Sequence, residues 1–398
     1  MTFLEEYDQR TTWKTDALSG TFHTHPSLSQ KVGSEGHYLP FPGTTAALRC
    51  GKRCTQIIQL MQEMLHAQLQ STGILAERLP EATLHMTLHD MICPEHSRVV
   101  PKDLPAGEAC ADTRYLQEMQ ESIEKGTEIA EKLREQYAPR QLILTADRIV
   151  SMVSKSIVLL LRPKTEEDAS LLMNLYQAFD AVTTLPYPLT PHITLAYYRP
   201  GQVNGDLVES VLHELQVERE TLDFTFPISA LTVQRFRDMK AYYDVPQRIC
   251  FVCDGGLNRS QMAAAMVNQM AMERKIPVLA EARSAYQNTE GERVPLQVSE
   301  TLLRHGYHLP ENLTARYLEE SDYSAFTSFY GVSYGAVSRL QMLRLPQERI
   351  GFYLGVPDPA YECSHEEAFQ ALEGRMKALT DDLEGQMMQV SAQSWRDP

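Results

Sequence analysis

The chain has 398 residues, of which 43% are hydrophobic and 22% are charged. A chain of this length is expected to form two or more domains, and the composition is typical of a folded globular protein. The 37 basic and 52 acidic residues give a net charge of −15. This balance argues against a broad basic surface for long nucleic acid.

Membrane and secretory signals do not stand out in the sequence. No apolar run reaches the length of a transmembrane helix, and the N-terminal residues are acidic rather than a basic signal sequence. The seven cysteines have no repeated spacing, which favours a reducing compartment. We therefore expect a cytoplasmic protein without a membrane partner, and the sequence leaves its oligomeric state open.

Two short segments of the N-terminal half share a motif in which a histidine is followed two residues later by a threonine. The first contains His85 and Thr87, and the second contains His192 and Thr194. His192 follows His85 by 107 residues. Apolar and polar residues alternate in both segments, which predicts two strands with the histidine and threonine on one face.

Two such strands can flank one phosphate group. A neutral imidazole accepts a proton from water or a hydroxyl, while a second, protonated imidazole donates one to the leaving oxygen. The two threonine hydroxyls can hold the non-bridging oxygens. This chemistry requires neither a metal ion nor a cofactor, and the sequence does not assign the acid and base roles to particular histidines.

The paired motifs are similar to those of the 2H phosphoesterase superfamily, over roughly residues 20–245. That superfamily includes 2′,3′-cyclic nucleotide phosphodiesterases and RNA 2′-5′ ligase-like proteins. The resemblance implies an α+β domain of two antiparallel lobes with a cleft between them. It also implies a site formed by His85, Thr87, His192 and Thr194.

Other candidate residues lie near these motifs. His89 and Tyr198 follow the strand alternation of the motifs, so both a pocket position and a packing position stay open for each. Lys155 opens an apolar strand and can supply a phosphate contact. Residues Leu116–Gln136 show the apolar periodicity of an amphipathic helix.

A border between two domains is expected near Pro246. Residues 231–243 read as a hairpin that closes the first domain, and a strand of the next one follows at once. We therefore predict domains over residues 1–246 and 247–385, with residues 386–398 as a disordered tail.

The second domain opens with a strand, a glycine-containing loop and an alanine-rich helix. The strand is Ile249–Val252, the loop runs from Cys253 to Ser260, and the helix follows from Gln261. Loop N–H groups and the helix N-terminus favour a phosphate and a thiolate at this place. Cys253 can attack phosphorus, Arg259 can grip two phosphate oxygens, and Ser260 can hydrogen-bond the sulfur.

From about residue 248 to 383 the chain resembles the low molecular weight protein tyrosine phosphatases and their arsenate reductase relatives. The resemblance rests on the loop, on Arg283-Ser284-Ala285, on residues 302–307 and on residues 356–361. It implies an α/β domain with a small parallel sheet flanked by helices, and it makes Asp358 the general acid. The implied phosphate-binding residues of the loop are Gly255, Gly256, Leu257, Asn258 and Ser260.

The loop departs from the usual pattern of that family at two positions, and a third position has a carboxylate next to the nucleophile. Gly256 replaces an asparagine, and glycine can adopt the same left-handed conformation. Asn258 replaces a second cysteine. Asp254 follows the nucleophile directly, and we expect its carboxylate to point outward, because an inward carboxylate raises the thiol pKa. Cys250 and Cys253 should face opposite sides of their strand.

The sequence as a whole predicts a bifunctional phosphorus-ester hydrolase. One site opens a cyclic 2′,3′-type phosphodiester, and the other hydrolyses a phosphomonoester through a cysteinyl-phosphate. The expected partner is a small phosphorylated substrate, either a nucleotide, an RNA terminus or phosphotyrosine. Two alternatives stay open: a phosphotyrosine phosphatase with a nucleotide-binding regulatory domain, and a phospho-ligand binding protein without catalysis.

Overall fold

A computed structural model describes residues 14–99, 112–216, 222–345 and 347–388. The chain divides into two compact units, residues 1–243 and 244–398. Residues 389–398, which form most of the expected disordered tail, lie outside the described ranges, as does the acidic N-terminus. Among the helices of the described ranges, none is both long and apolar enough to cross a bilayer.

The N-terminal unit contains an eight-stranded sheet, a separate two-stranded sheet and helices, most of which pack on the larger sheet. The described strands are β1 (Thr21–His23), β2 (Gly43–Arg49), β3 (His85–Ile92), β4 (Gln141–Met152), β5 (Ser156–Pro163), β6 (His192–Tyr197), β7 (Gln202–Asn204), β8 (Asp223–Pro227), β9 (Leu231–Asp238) and β10 (Ala241–Val245). The described α-helices are α1 (Lys52–Leu69), α2 (Thr113–Tyr137), α3 (Glu166–Ala178) and α4 (Gly205–Glu214).

The larger sheet consists of two four-stranded halves that meet at β3 and β6. The strand order is β10-β9-β2-β3-β6-β5-β4-β8. β2 pairs antiparallel with β3 and β9, and β5 pairs antiparallel with β4 and β6. At the seam, β3 and β6 pair antiparallel with Met86 opposite Ile193. The region expected to form two antiparallel lobes thus forms one eight-stranded sheet with two four-stranded halves.

The long polar stretch between the two histidine motifs contains α2. Asp112 caps this helix, because its carboxylate accepts a hydrogen bond from the N–H of Arg114. One face is buried, including Tyr115, Met119 and Leu133. The amphipathic helix predicted over residues 116–136 is therefore confirmed, with a few more residues at its start.

The C-terminal unit has an α/β fold with a three-stranded parallel sheet in the order β12-β11-β13. The strands are β11 (Gln247–Cys253), β12 (Val278–Ser284) and β13 (Ser328–Gly331). The described helices are α5 (Arg259–Arg274), α6 (Leu296–Arg304), α7 (Asp322–Ala325), α8 (Tyr334–Met342) and α9 (His365–Met388). A small parallel sheet flanked by helices is what the sequence predicted for this region.

Both faces of the central strand β11 are buried, which explains its continuous apolar sequence. Ile249, Phe251 and Cys253 belong to one hydrophobic core, while Cys250 and Val252 belong to the core on the other face. The prediction that Cys250 and Cys253 face opposite sides is confirmed. Because the strand ends at Cys253, that thiol lies at the carboxyl edge of the sheet, directly before the loop and α5.

Candidate active sites

The two histidine motifs of the N-terminal unit lie next to each other on β3 and β6. Since Met86 is opposite Ile193 in an antiparallel pair, the same register places His85 across from Thr194 and Thr87 across from His192. All four of these side chains line one cavity of about 350 Å³. The structure therefore brings together the four residues that the sequence singled out in this half.

The two imidazoles are held in the same way. Nδ1 of His85 donates to the carbonyl oxygen of Thr83 at 2.7 Å, and Nδ1 of His192 donates to the carbonyl oxygen of Thr190, also at 2.7 Å. A carbonyl can only accept, so Nδ1 carries the hydrogen in each ring. When either ring is neutral, its lone pair is therefore on Nε2. The Nε2 atom of His85 lies 3.3 Å from Oγ1 of Thr87.

The repeated unit is longer than the His-x-Thr motif. Both segments read Thr-x-His-x-Thr-Leu, at residues 83–88 and 190–195. The first threonine supplies the carbonyl that holds the imidazole. The final leucine, Leu88 or Leu195, lies at a shift in strand register, where neighbouring pairs skip one residue. This six-residue repeat was the available signal that the three-residue motif missed.

The register shifts decide which later side chains reach the cavity. Beyond Leu88 and Leu195 the strand alternation moves by one position, so Asp90 and Tyr197 line the cavity. The hydroxyl of Tyr197 is hydrogen-bonded to Thr194, and burial raises the pKa of that phenol. Neither Asp90 nor Tyr197 was expected at the site, because strict alternation excludes both.

His89 and Tyr198 occupy packing positions for the same reason. His89 is 1% exposed, its Nε2 is 3.3 Å from Oδ1 of Asp180, and its ring centroid lies 4.9 Å from that of Tyr176. Tyr198 is fully buried and donates its hydroxyl to Oγ of Ser151 at 2.9 Å. For both residues the packing alternative is the one that the structure shows.

The cavity changes the acidity of His192. Burial lowers the pKa of this imidazole below its ordinary value of 6.5, and the positive charge of Lys14 acts in the same direction. The hydrogen bond to the Thr190 carbonyl and the charge of Asp90 oppose the shift in part. His192 is therefore neutral at neutral pH and suited to accept a proton.

The loop of the C-terminal unit curves around the thiol of Cys253. Cys253 is 2% exposed, and its Sγ lies 3.1 Å from Oγ of Ser260. Gly256 has φ +64°, and a Cβ atom there would lie 2.8 Å from the backbone nitrogen of Ser284. Glycine adopts a positive φ readily and has no Cβ atom to contact Ser284. The left-handed conformation predicted for Gly256 is therefore confirmed. Nε2 of Gln261 donates to the Gly256 carbonyl at 2.8 Å.

Several hydrogen-bond donors lie in and directly after this loop. The N–H groups of residues 255–258 donate to no acceptor within the described ranges, and α5 begins directly behind them. The guanidinium of Arg259 is 4% exposed, and its buried Nε–H has no hydrogen-bond partner among the described residues. Free N–H groups, a helix N-terminus and a buried guanidinium beside a thiol suit a phosphoryl group.

A carboxylate lies against the same guanidinium. Nη1 of Arg259 donates to the Val356 carbonyl at 2.9 Å, and Nη2 donates to Oδ2 of Asp358 at 2.6 Å. The other oxygen of Asp358 accepts a hydrogen bond from the N–H of Ala360 at 3.0 Å. Although Asp358 is 105 residues from Cys253 in sequence, it is thus held directly at the loop that contains the thiol.

Known proteins match this second unit. A family profile described as Low molecular weight phosphotyrosine protein phosphatase matches residues 248–390. A Low molecular weight protein-tyrosine-phosphatase of Streptomyces coelicolor is 30% identical in an alignment 161 positions long, and the match covers 35% of this chain and 96% of the relative. Through its C-terminal region, the chain belongs to this phosphatase family. It is a hydrolase of phosphoric esters, and the C-terminal region has cysteine-dependent phosphatase activity of this type.

Solved phosphatase structures resemble the same region. A protein tyrosine phosphatase from Entamoeba histolytica is 20% identical, with a TM-score of 0.33, and the match covers 35% of this chain and 99% of that one. A low molecular weight protein tyrosine phosphatase from Streptococcus pyogenes is 21% identical, with a TM-score of 0.32, over 34% of this chain and 93% of that one.

The low molecular weight phosphatase loop of this chain contains an inward carboxylate. Oδ2 of Asp254 accepts a hydrogen bond from Nη2 of Arg259 at 2.8 Å, and Oδ1 accepts one from Oγ of Ser333 at 2.9 Å. Gly335 leaves room for this carboxylate, because a Cβ atom there would lie 2.2 Å from Oδ1. The expectation that Asp254 points outward is wrong, since a guanidinium and a hydroxyl bind the carboxylate on the inner side.

Asp254 and Asp358 therefore share the guanidinium that a phosphate would bind. A phosphoryl oxygen approaching Nη2 of Arg259 competes with both carboxylates for the same donor. The sequence showed Asp254 but not its two supports, Ser333 and Gly335. The available signal was the Ser-x-Gly spacing of Ser333 and Gly335 after β13. That spacing points to Asp254 only when β13 is known to pair with β11.

Proposed function

We propose that the chain is a bifunctional phosphoesterase that converts a cyclic 2′,3′-type phosphodiester into a free hydroxyl and inorganic phosphate. The observation that supports the first step is the pair of like half-sites on β3 and β6, with their imidazoles held alike and facing one cavity. The second step rests on the low molecular weight phosphatase site. The substrate class is a 2′,3′-cyclic nucleotide or an RNA terminus.

In the first step, water attacks phosphorus and one ribose P–O bond breaks. We assign the base role to His192, whose lowered pKa keeps Nε2 unprotonated, so that it takes the proton from water. His85, protonated at Nε2, donates to the leaving ribose oxygen. The hydroxyls of Thr87 and Thr194 hold the non-bridging oxygens, and the product is a ribose phosphomonoester.

In the second step, the thiolate of Cys253 attacks the phosphorus of that monoester. The bond from phosphorus to the ribose oxygen breaks, and Asp358 donates a proton to this oxygen. Arg259 and the N–H groups of residues 255–258 stabilise the charge on the phosphoryl oxygens. Water, activated by Asp358, then hydrolyses the cysteinyl-phosphate, which releases inorganic phosphate and restores the thiolate.

The test follows both products from a 2′,3′-cyclic nucleotide. Wild type should release the nucleoside and inorganic phosphate, whereas Cys253→Ser should accumulate the nucleoside monophosphate. His192→Ala should lower the opening rate by about 10²–10⁴-fold and should retain hydrolysis of p-nitrophenyl phosphate. If wild type leaves the cyclic ester intact while it hydrolyses p-nitrophenyl phosphate, the first step of the proposal is wrong.

A second candidate substrate for the Cys253 site is a phosphotyrosyl side chain. Relatives of the C-terminal region are described as tyrosine phosphatases, and the ring centroids of Tyr334 and Tyr353 lie 4.9 Å apart. Tyr334 and Tyr286 are 78% and 53% exposed. A kcat/KM for phosphotyrosyl peptides far above that for nucleoside monophosphates, and unchanged in His192→Ala, would favour this candidate over the two-step route.

A further inference from the structure

We propose that Gln261 is a positioning residue of the phosphatase site, because its side-chain amide fixes the peptide group between Gly256 and Leu257 for phosphate binding. Gln261 is the third residue of α5 and is 6% exposed. Its Nε2 donates to the Gly256 carbonyl at 2.8 Å. This role belongs to the phosphatase activity alone and does not depend on the proposed cyclic-ester step.

Donors outside the loop hold the carbonyl groups at its start. The Cys253 carbonyl accepts a hydrogen bond from the N–H of Ala285 at 2.8 Å, and the Asp254 carbonyl accepts one from Oγ of Ser284 at 2.7 Å. The peptide bonds of the loop are trans, so each C=O and the N–H that follows it point in opposite directions. Each held carbonyl therefore directs the next N–H away from the donor that holds it.

The peptide group after Gly256 is the one whose orientation depends on Gln261. Gly256 has φ +64°, and glycine adopts positive and negative φ about equally readily, so its own backbone does not fix the direction of its carbonyl. Within the described ranges, the Gln261 amide is the one donor bonded to that carbonyl. The same bond keeps the Leu257 N–H on the opposite side of the peptide group, where it can donate to a phosphoryl oxygen.

A side chain at position 256 cannot take over this task. A Cβ atom there would lie 2.8 Å from the nitrogen and 3.0 Å from the Cα atom of Ser284, both of which belong to the backbone. The loop therefore has no side chain of its own at this position, and α5 supplies the hydrogen-bond donor instead. Loss of that donor would let the peptide group turn, so that the Gly256 carbonyl oxygen rather than an N–H faces the phosphate.

The same helix contains a second glutamine that serves as a matched control. Nε2 of Gln269 donates to the carbonyl of Gly306 at 2.7 Å, and Gly306 also has a positive φ, of +80°. Gly306 follows α6 and is not part of the phosphatase loop. Gln269→Met therefore removes a hydrogen bond of the same kind, from the same helix to a glycine carbonyl, without altering the loop.

The experiment measures hydrolysis of p-nitrophenyl phosphate by Gln261→Met and Gln269→Met. Methionine keeps the length of glutamine but lacks an N–H donor, and Gln261 borders a cavity of about 710 Å³ that can accommodate the change. Gln261→Met should lower kcat/KM by about 10- to 100-fold, as expected for a misplaced transition-state donor. Vanadate, a transition-state analogue, should inhibit this variant more weakly by a similar factor, while inhibition by inorganic phosphate should change less. Gln269→Met should match wild type in all three measurements.

Amide NMR separates positioning from a general loss of stability. In wild type, vanadate should slow hydrogen exchange at the N–H groups of Gly255 and Leu257. In Gln261→Met the protection should be lost at Leu257 and retained at Gly255, whose N–H is oriented by the hydrogen bond between Asp254 and Ser284. Wild-type protein in which vanadate leaves Leu257 unprotected would overturn the inference, and this measurement needs no variant. Unchanged kcat/KM and vanadate inhibition in Gln261→Met would overturn it as well.

Discussion

The two candidate sites of this chain offer different charges to a phosphate group. The C-terminal loop combines N–H groups, a helix N-terminus and the Arg259 guanidinium, which suit the dianion of a monoester. The His–Thr groups of the N-terminal unit offer imidazoles and hydroxyls, and the described lining of that cavity contains lysines but no arginine. The imidazoles and hydroxyls are weaker donors than a guanidinium and suit the single charge of a cyclic diester. Each site thus matches the charge of one step in the proposed route.

The sites also differ in how the chain builds them. The C-terminal site takes its nucleophile, donors and guanidinium from eight consecutive residues, Cys253–Ser260, and adds Asp358. The N-terminal site takes equal shares from β3 and β6, which come from distant parts of the sequence. Loss of Cys253 alone should therefore abolish activity at the C-terminal site. Matched substitutions on β3 and β6 should each lower activity at the N-terminal site by a comparable factor. Substitutions in each site test that contrast.

The largest effect is expected from Cys253→Ser. Removal of the thiolate removes the only covalent step, so hydrolysis of p-nitrophenyl phosphate should fall by at least about 10³-fold. Steady-state assays at matched protein concentration measure this loss. Circular dichroism should show an unchanged fold, because serine replaces a 2%-exposed side chain of similar size. Residual activity within tenfold of wild type would mean that another group is the nucleophile.

The next effect concerns the proton donor. Asp358→Asn should lower kcat for phenyl phosphate by about 10²–10³-fold, because asparagine cannot donate the proton that the phenol oxygen needs. The loss should be much smaller for p-nitrophenyl phosphate, whose leaving group departs without a proton. A comparison of both esters under the same conditions tests the role, since equal losses would indicate that Asp358 only positions Arg259.

The paired hydroxyls of the N-terminal site should contribute comparably. Thr87→Val and Thr194→Val should each lower kcat/KM for a 2′,3′-cyclic nucleotide by about tenfold, as each removes one hydrogen bond to a non-bridging oxygen. Hydrolysis of p-nitrophenyl phosphate serves as the internal control. A large loss in one variant and none in the other would contradict the equivalence of the two half-sites.

Substitution of Asp254 should strengthen phosphate binding, whereas the preceding substitutions should lower activity. Asp254→Asn should strengthen competitive inhibition by inorganic phosphate by about five- to tenfold, because the phosphate no longer competes with a charged carboxylate for Arg259. Ser333→Ala removes the hydroxyl that holds the same carboxylate, and should shift the inhibition constant in the same direction by a smaller factor. Weaker inhibition in Asp254→Asn would show that the carboxylate orients Arg259 for binding.

The smallest effect concerns stability and pH. The folded state holds the pKa of His192 below the ordinary 6.5, so the unfolded chain binds a proton first as the pH falls. The free energy of unfolding should therefore decrease from pH 6.5 down to the folded pKa. Urea denaturation at pH 7.5 and 5.5 should show a smaller decrease in His192→Gln than in wild type. An equal decrease in both would assign this pH dependence to other groups.

The sequence by itself determined the local features of this protein. A buried strand, a glycine-containing turn and a helix are specified by neighbouring residues, so the positions of Cys253, Gly256 and Arg259 on these elements follow from the sequence alone. Apolar periodicity likewise predicted the helix α2 and the strands of the two histidine motifs. In each case the relevant interactions span only a few positions along the chain.

Only the tertiary structure decided which side chains meet. Strict alternation pointed to His89 and Tyr198, but the register shifts at Leu88 and Leu195 turned Asp90 and Tyr197 toward the cavity instead. The inward position of Asp254 depends on Ser333 and Gly335, which approach it through the pairing of β11 with β13. Strand register and long-range contacts arise from packing of the whole unit, and no short stretch of sequence encodes them.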